Sequence, residues 1–255
     1  MLKRAELKSF LDYKVDQYNS PEFIATDPIQ IPHKFSKKED IEIAGFLTAT
    51  ISWGNRKSIL TNATSLMDRM DNDPYNFILN HSQEDLTSFE HFVHRTFNEL
   101  DLKYFATSLQ NIYKKHDGLE TVFASNAEND SLQTSIHEFK KLFFELPHLP
   151  RTQKHISDPL KNSAAKRINM FLRWMVRKDA NGVDFGIWNK LNSNQLSCPL
   201  DVHSGNTARK LGLLKRKQND GKTLKELDLS LRKLDPVDPV KYDFALFGLG
   251  VFEKY

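Results

Sequence analysis

A lysine and an aspartate in the C-terminal half of this chain have the types needed for covalent chemistry on an electrophilic carbon. Lys166 stands in NSAAKRINMF, directly after the small residues Ser163, Ala164 and Ala165, which let a partner backbone approach closely. Burial disfavours the charged form of an amine and exposes its lone pair, so a lysine at the start of an apolar helix is a candidate nucleophile. A nearby carboxylate would take up the proton, orient the amine and stabilise positive charge building on a sugar. Asp201 stands in PLDVHSGNTARKLGL, which reads as helix cap, helix, then Gly212 as the stop. Capping does not exclude catalysis, because a carboxylate anchored at a helix start is held in fixed geometry. His203, one position further into the same helix than Val202, could donate to a phosphate alongside the free N–H groups there. Plainer readings stand beside these: Lys166 as a surface lysine in a first turn, and His203 as a histidine without a role.

Helices must position these residues. Apolar residues recur at three-to-four spacing nearly throughout, as in Ile41, Ala44, Leu47 and Ile51, or Ile59, Ala63, Leu66 and Met70. SAAKRINMFLRWMVR is the most apolar helix, with Ile168, Phe171, Leu172, Met175 and Val176 inward and Arg167, Arg173 and Arg177 elsewhere on its circumference. Strand signals are scarce, and no alternating run with a two-residue turn stands out. The expected fold class is all-α, with about ten helices by ordinary helix lengths. Residues 1–255 read as one helical domain, and the polar segment Ala124 to Gln133 is the best candidate for a loop between two lobes.

Composition is that of a globular protein, 39% hydrophobic and 27% charged. No apolar run is long enough to span a bilayer. The N-terminal pattern is charged and amphipathic rather than that of a signal peptide. The lone Cys198 excludes an intramolecular disulfide framework and a Cys-ligated metal site. A reducing, cytoplasmic setting is expected, with no membrane partner and a monomeric chain. The net charge of +3 is small, but its distribution is not even. Between Arg151 and Lys178 stand eight basic residues and one acid, Asp158, and a second basic run holds Arg209, Lys210, Lys215, Arg216 and Lys217. Clustered positive charge suits a polyanion. The histidines His33, His81, His94 and His155 lack the spacing of a metal site.

Three segments carry a resemblance. PLDVHSGNTARKLGL is similar to the part of the helix-hairpin-helix DNA glycosylases in which a catalytic aspartate precedes a helix ending in Arg-x-Leu-Gly-Leu, and Lys166 lies upstream, as the family's lysine does. GFLTATISWGNRKSILTNATSLM resembles the family segment whose turn supplies a wedge for the gap left by a flipped base. KYDFALFGLG resembles a late helix of that family. The whole pattern also looks like an uncharacterised bacterial family related distantly to these enzymes, with the archaeal-type 8-oxoguanine glycosylases as nearest kin. One departure is plain: no glycine stands between Ile156 and Lys166, where the family's hairpin has its glycines.

The resemblance implies a two-lobed glycosylase-like fold with a divergent helix-hairpin-helix. It implies a DNA repair glycosylase with AP-lyase activity on double-stranded DNA carrying a damaged base, with an oxidised purine, 8-oxoguanine first, as the substrate. Lys166 would attack the sugar and Asp201 assist. Asn55 would be the wedge. Arg56, Lys161, Ser163, Arg167, His203 and Arg209 would hold DNA, and Trp53 and Phe244 would face the base, with Trp174 and Phe247 left to core packing. No cofactor and no metal is implied. The alternative is a non-catalytic or monofunctional DNA-binding protein of the same fold.

Overall fold

The computed structural model describes residues 3–255. Its architecture follows from helices that each bury one apolar stripe. In chain order they are α1 (Arg4–Tyr18), α2 (Pro21–Ile24), α3 (Lys38–Ile51), α4 (Arg56–Asp68), α5 (Pro74–Asn80), α6 (Glu99–Lys115), α7 (Gly118–Ala124), α8 (Gln133–Phe143), α9 (Lys166–Val176), α10 (Val202–Lys210), α11 (Gly221–Leu234) and α12 (Tyr242–Val251). The all-α expectation holds. The count exceeds the expected ten because short helices such as α2, α5 and α7 are too brief to display a period.

The expectation of no two-residue hairpin is corrected. Strands β1 (Val93–His94) and β2 (Phe97–Asn98) pair antiparallel across Arg95 and Thr96. Strands of two residues cannot show alternation, and the turn lacks the Asn-Gly or Asp-Gly signature of a tight hairpin.

Two apolar clusters form the core. The larger is built on α3, α6, α8 and α9, with the aromatic rings of Phe105, Phe139, Phe143 and Phe171 packed around Phe46 in stacked, tilted and edge-to-face pairs at its centre. The smaller joins α1 to α10, α11 and α12 through Leu11, Ala208, Leu227, Leu231 and Leu246. The N-terminal helix thus packs with the C-terminal ones: Leu7, Leu11 and Val15 bury one stripe of α1, and Lys14 pairs with Glu253 at 2.6 Å. The polar segment 124–133 does lack helix over most of its length, but it does not divide the cores. Phe123 before it and Ile136 after it belong to the same cluster.

The arginines of α9 also depart from expectation. Arg173 and Arg177 are 3% and 2% exposed. Arg173 donates to Asp184 at 3.2 Å and to Asp243, and Arg177 reaches Asp179 at 2.6 Å, Asp184 at 3.1 Å and Asp238 at 3.0 Å. Buried guanidinium groups require such partners, so these two hold the fold together and are not part of a polyanion-binding face.

Candidate functional site: a lysine and a carboxylate across a cleft

A cleft of about 760 Å³ opens where the two apolar clusters meet. Its catalytic candidates arrive from opposite sides: Lys166 is the first residue of α9, rooted in the larger cluster, and Asp201 caps α10, rooted in the smaller one. Lys166 Nζ lies 3.6 Å from Asp201 Oδ2. The two oxygens of Asp201 divide their work. Oδ1 accepts from the Ser204 backbone N–H at 2.9 Å, and Ser204 Oγ in turn accepts from the Asp201 N–H at 2.9 Å, closing a capping box. Oδ2 is left for the amine. Asp201 is therefore a helix cap whose second carboxylate oxygen faces Lys166.

The turn before Lys166 explains how the chain manages without hairpin glycines. Asn162 at φ 63° and Ala165 at φ 42° take the left-handed conformation. Ser163 Oγ accepts from the Ala165 N–H at 3.1 Å, and Asn169 Nδ2 donates to the Ala164 carbonyl at 3.0 Å. The Asn162 carbonyl accepts from the Gly221 N–H at 2.9 Å, fastening the turn to α11. A non-glycine residue in this region costs on the order of 1–2 kcal/mol, and it stands immediately beside the amine.

Of the residues singled out in the sequence, Trp53, Arg56, Ser163, Lys166, Arg167, Asp201 and His203 all line the cleft. Arg167 is not a free phosphate ligand. It donates to the Thr50 carbonyl and lies 4.7 Å over the Trp53 ring, and burial pulls its guanidinium down to about 10. Arg56 donates to the Thr26 carbonyl at 2.6 Å and sits over Phe247. Asn55 is exposed on the rim and caps α4 by accepting from the Ser58 N–H. Lys161 is exposed in the preceding turn and does not line the cleft. Arg209 is also outside it, donating to the carbonyls of Arg216 and Gln218 and to Asn219 Oδ1; Asn219 in turn donates to the Asp201 carbonyl at 2.7 Å. It steadies the cap from behind.

The aromatic assignment on α12 is reversed. Phe244 is fully buried against Phe23, with the Arg173 and Arg177 guanidiniums 4.5 and 5.3 Å from its ring. Phe247 lines the cleft, as do Asp243 and Val251. These three follow the four-residue spacing of one helix face, and that spacing was the available signal. Trp174 is buried in the core, as assigned.

Two carboxyls in the cleft were not foreseen. Burial pushes the Asp243 carboxyl up to about 6, against the pull of Arg173 and Lys166. Asp27 is also raised by burial, with Arg173, Arg56 and Lys166 opposing, and its Oδ1 accepts from the Ile29 N–H at 3.0 Å. Elsewhere, His155 and Asp158 take structural partners: Asp101 lies 3.2 Å from His155, and His137 lies 2.9 Å from Asp158.

A family model matches residues 27–252, a span that includes every cleft residue except Phe23. The chain belongs to the DUF2400 family. The description of that family is "Protein of unknown function", so it supplies no activity. No curated protein and no solved structure matches the chain. The DUF2400 match corrects the kinship drawn in the sequence, because no helix-hairpin-helix glycosylase family is found. The physical reason lies in what carried the likeness. Asp201 as cap and Gly212, at φ 76°, as stop are general helix grammar, and the glycine hairpin that would have been specific is absent.

Proposed function

We propose that this DUF2400 protein is a DNA glycosylase with AP-lyase activity acting through Lys166. The observation that carries the reading is the 3.6 Å approach of Lys166 Nζ to Asp201 Oδ2 inside a cleft, by two residues 35 positions apart. In this reading Asp201 accepts a proton from the Lys166 ammonium. The freed amine attacks the sugar C1′, and the base leaves with the electron pair of its glycosidic bond and gains a proton. The adduct opens to an imine, and β-elimination releases the 3′ phosphate and nicks the strand. The base would lie against Trp53 and Phe247. Asp27 and Asp243 would face its N–H donors, which favours an oxidised purine such as 8-oxoguanine as the first lesion to test. The cleft at the meeting of two apolar cores supports a two-lobed, glycosylase-like arrangement, and its volume accommodates one extruded nucleotide.

Borohydride trapping tests this directly. Purified protein and Lys166→Ala would be incubated with a labelled duplex carrying 8-oxoguanine and with one carrying an abasic site. A covalent band with the oxidised base that disappears in the variant is the expected result. A band with the abasic duplex alone keeps the imine chemistry and sends the search to another lesion. No band with either, despite binding, removes the Schiff base and leaves a monofunctional enzyme, with Asp201 activating water, or a binding protein.

A further inference from the structure

One charged group stands unused at the rim of the cleft. Arg95 and Thr96 form the turn between β1 and β2, and this small hairpin is fastened on both flanks. On one side the buried His94 lies 3.1 Å from the Trp53 carbonyl through Nε2 and 2.8 Å from Asn62 Nδ2 through Nδ1. On the other, Arg151 donates to the Thr96 carbonyl at 2.8 Å and to Asn98 Oδ1 at 2.9 Å, with its charge balanced by Asp101. Arg95 itself stands at φ 56°, a conformation that arginine adopts at a cost. Among the described residues it has no hydrogen-bond or ion-pair partner. Its side chain lies over Gly54: a Cβ added there would meet Arg95 Cδ and Nη1 at 3.1 Å, and Gly54 is at φ 102°. Gly54 lines the cleft and Arg95 does not. The guanidinium therefore lies against Gly54, just outside the opening. A planar cation carried on a fastened turn, and without a protein partner, fits a phosphate.

We propose that Arg95 grips a backbone phosphate of the strand complementary to the one that enters the cleft. The proposal rests on the DNA reading above. The cleft takes the target nucleotide, the Gly54-Asn55 turn stands at its edge, and Arg95 lies beyond that turn, facing the part of the duplex that stays outside.

Fluorescence anisotropy would measure binding to a duplex with a stable abasic analogue, and to the corresponding single strand, over a series of salt concentrations. Arg95→Asn is the main variant, because asparagine tolerates the left-handed turn. Gly54→Ala is the second, displacing the arginine without removing it. Loss of one phosphate contact predicts duplex binding about tenfold weaker. The slope of log affinity against log salt should become shallower by about 0.9, with single-strand affinity changed less than about twofold. Unchanged duplex affinity and slope for Arg95→Asn overturns the proposal. Equal losses on duplex and single strand overturn the assignment to the complementary strand. A wild type that binds neither DNA overturns the functional reading and this proposal together, whereas a wild type that binds while Arg95 is indifferent removes only the role of Arg95.

Discussion

The two ends of α9 carry the same kind of residue and use it in opposite ways. At the start, Lys166 opens onto a cleft with a single carboxylate at 3.6 Å and a third of its side chain exposed. Two to three turns later, Arg173 and Arg177 are sealed among Asp179, Asp184, Asp238 and Asp243. The first arrangement keeps an amine available. The second consumes its charge in holding α9 to the segment after it and to α12. Positive charge counted along a sequence thus says little about a surface until the acids that meet it are known.

The sharpest way to break this comparison is Lys166→Ala. It should abolish the borohydride-trapped adduct while costing less than about 1 kcal/mol in urea unfolding, since a partly exposed pair at 3.6 Å contributes little. An equally large stability loss would make Lys166 structural like the arginines. Arg173→Ala should do the reverse, lowering unfolding free energy by about 3–5 kcal/mol because Asp243 is left buried without its arginine and Asp184 keeps only Arg177. Asp228 extends the comparison to a buried acid with a poor partner, Arg232 at 3.9 Å. Burial raises its carboxyl to about 6. The folded state then holds the proton more tightly than the unfolded one, so stability falls as pH rises from about 4 to about 6 and stays low above. Asp228→Asn, which can still accept from the Cys198 N–H, should flatten that limb and gain about 2 kcal/mol at pH 8. Arg167, between the two extremes with the Thr50 carbonyl as its acceptor, gives the smallest effect. Arg167→Met should cost about 1 kcal/mol by thermal unfolding, the stem's packing on Trp53 being retained.

Much of the helical order was legible because its signals are local. Ile41, Ala44, Leu47 and Ile51 mark the buried face of α3, and Asp201 announces the start of α10 three residues before the Ser204 N–H it accepts from. What was hidden depended on distance or on brevity. Nothing near Arg173 in sequence indicates Asp243, which lies 70 positions away. The 93–98 hairpin is too short for a period, and an arginine in a left-handed turn gives no sequence sign of it. At the site, Lys166 and Asp201 were legible as types, but their meeting depends on the irregular chain between α9 and α10, whose course no pattern encodes. Phe247 and Phe244 differ by three positions, and which one faces the cleft is set by how α12 lies on α1 and α10.

The placement of Lys166 and Asp201 has a mechanical consequence. Lys166 is carried by one core and Asp201 by the other, so the gap between them measures how tightly the two halves of the molecule are closed. Loosening that joint would lengthen the 3.6 Å approach of Lys166 to Asp201. In the proposed reaction, closure of the joint between the cores would be a condition for proton transfer.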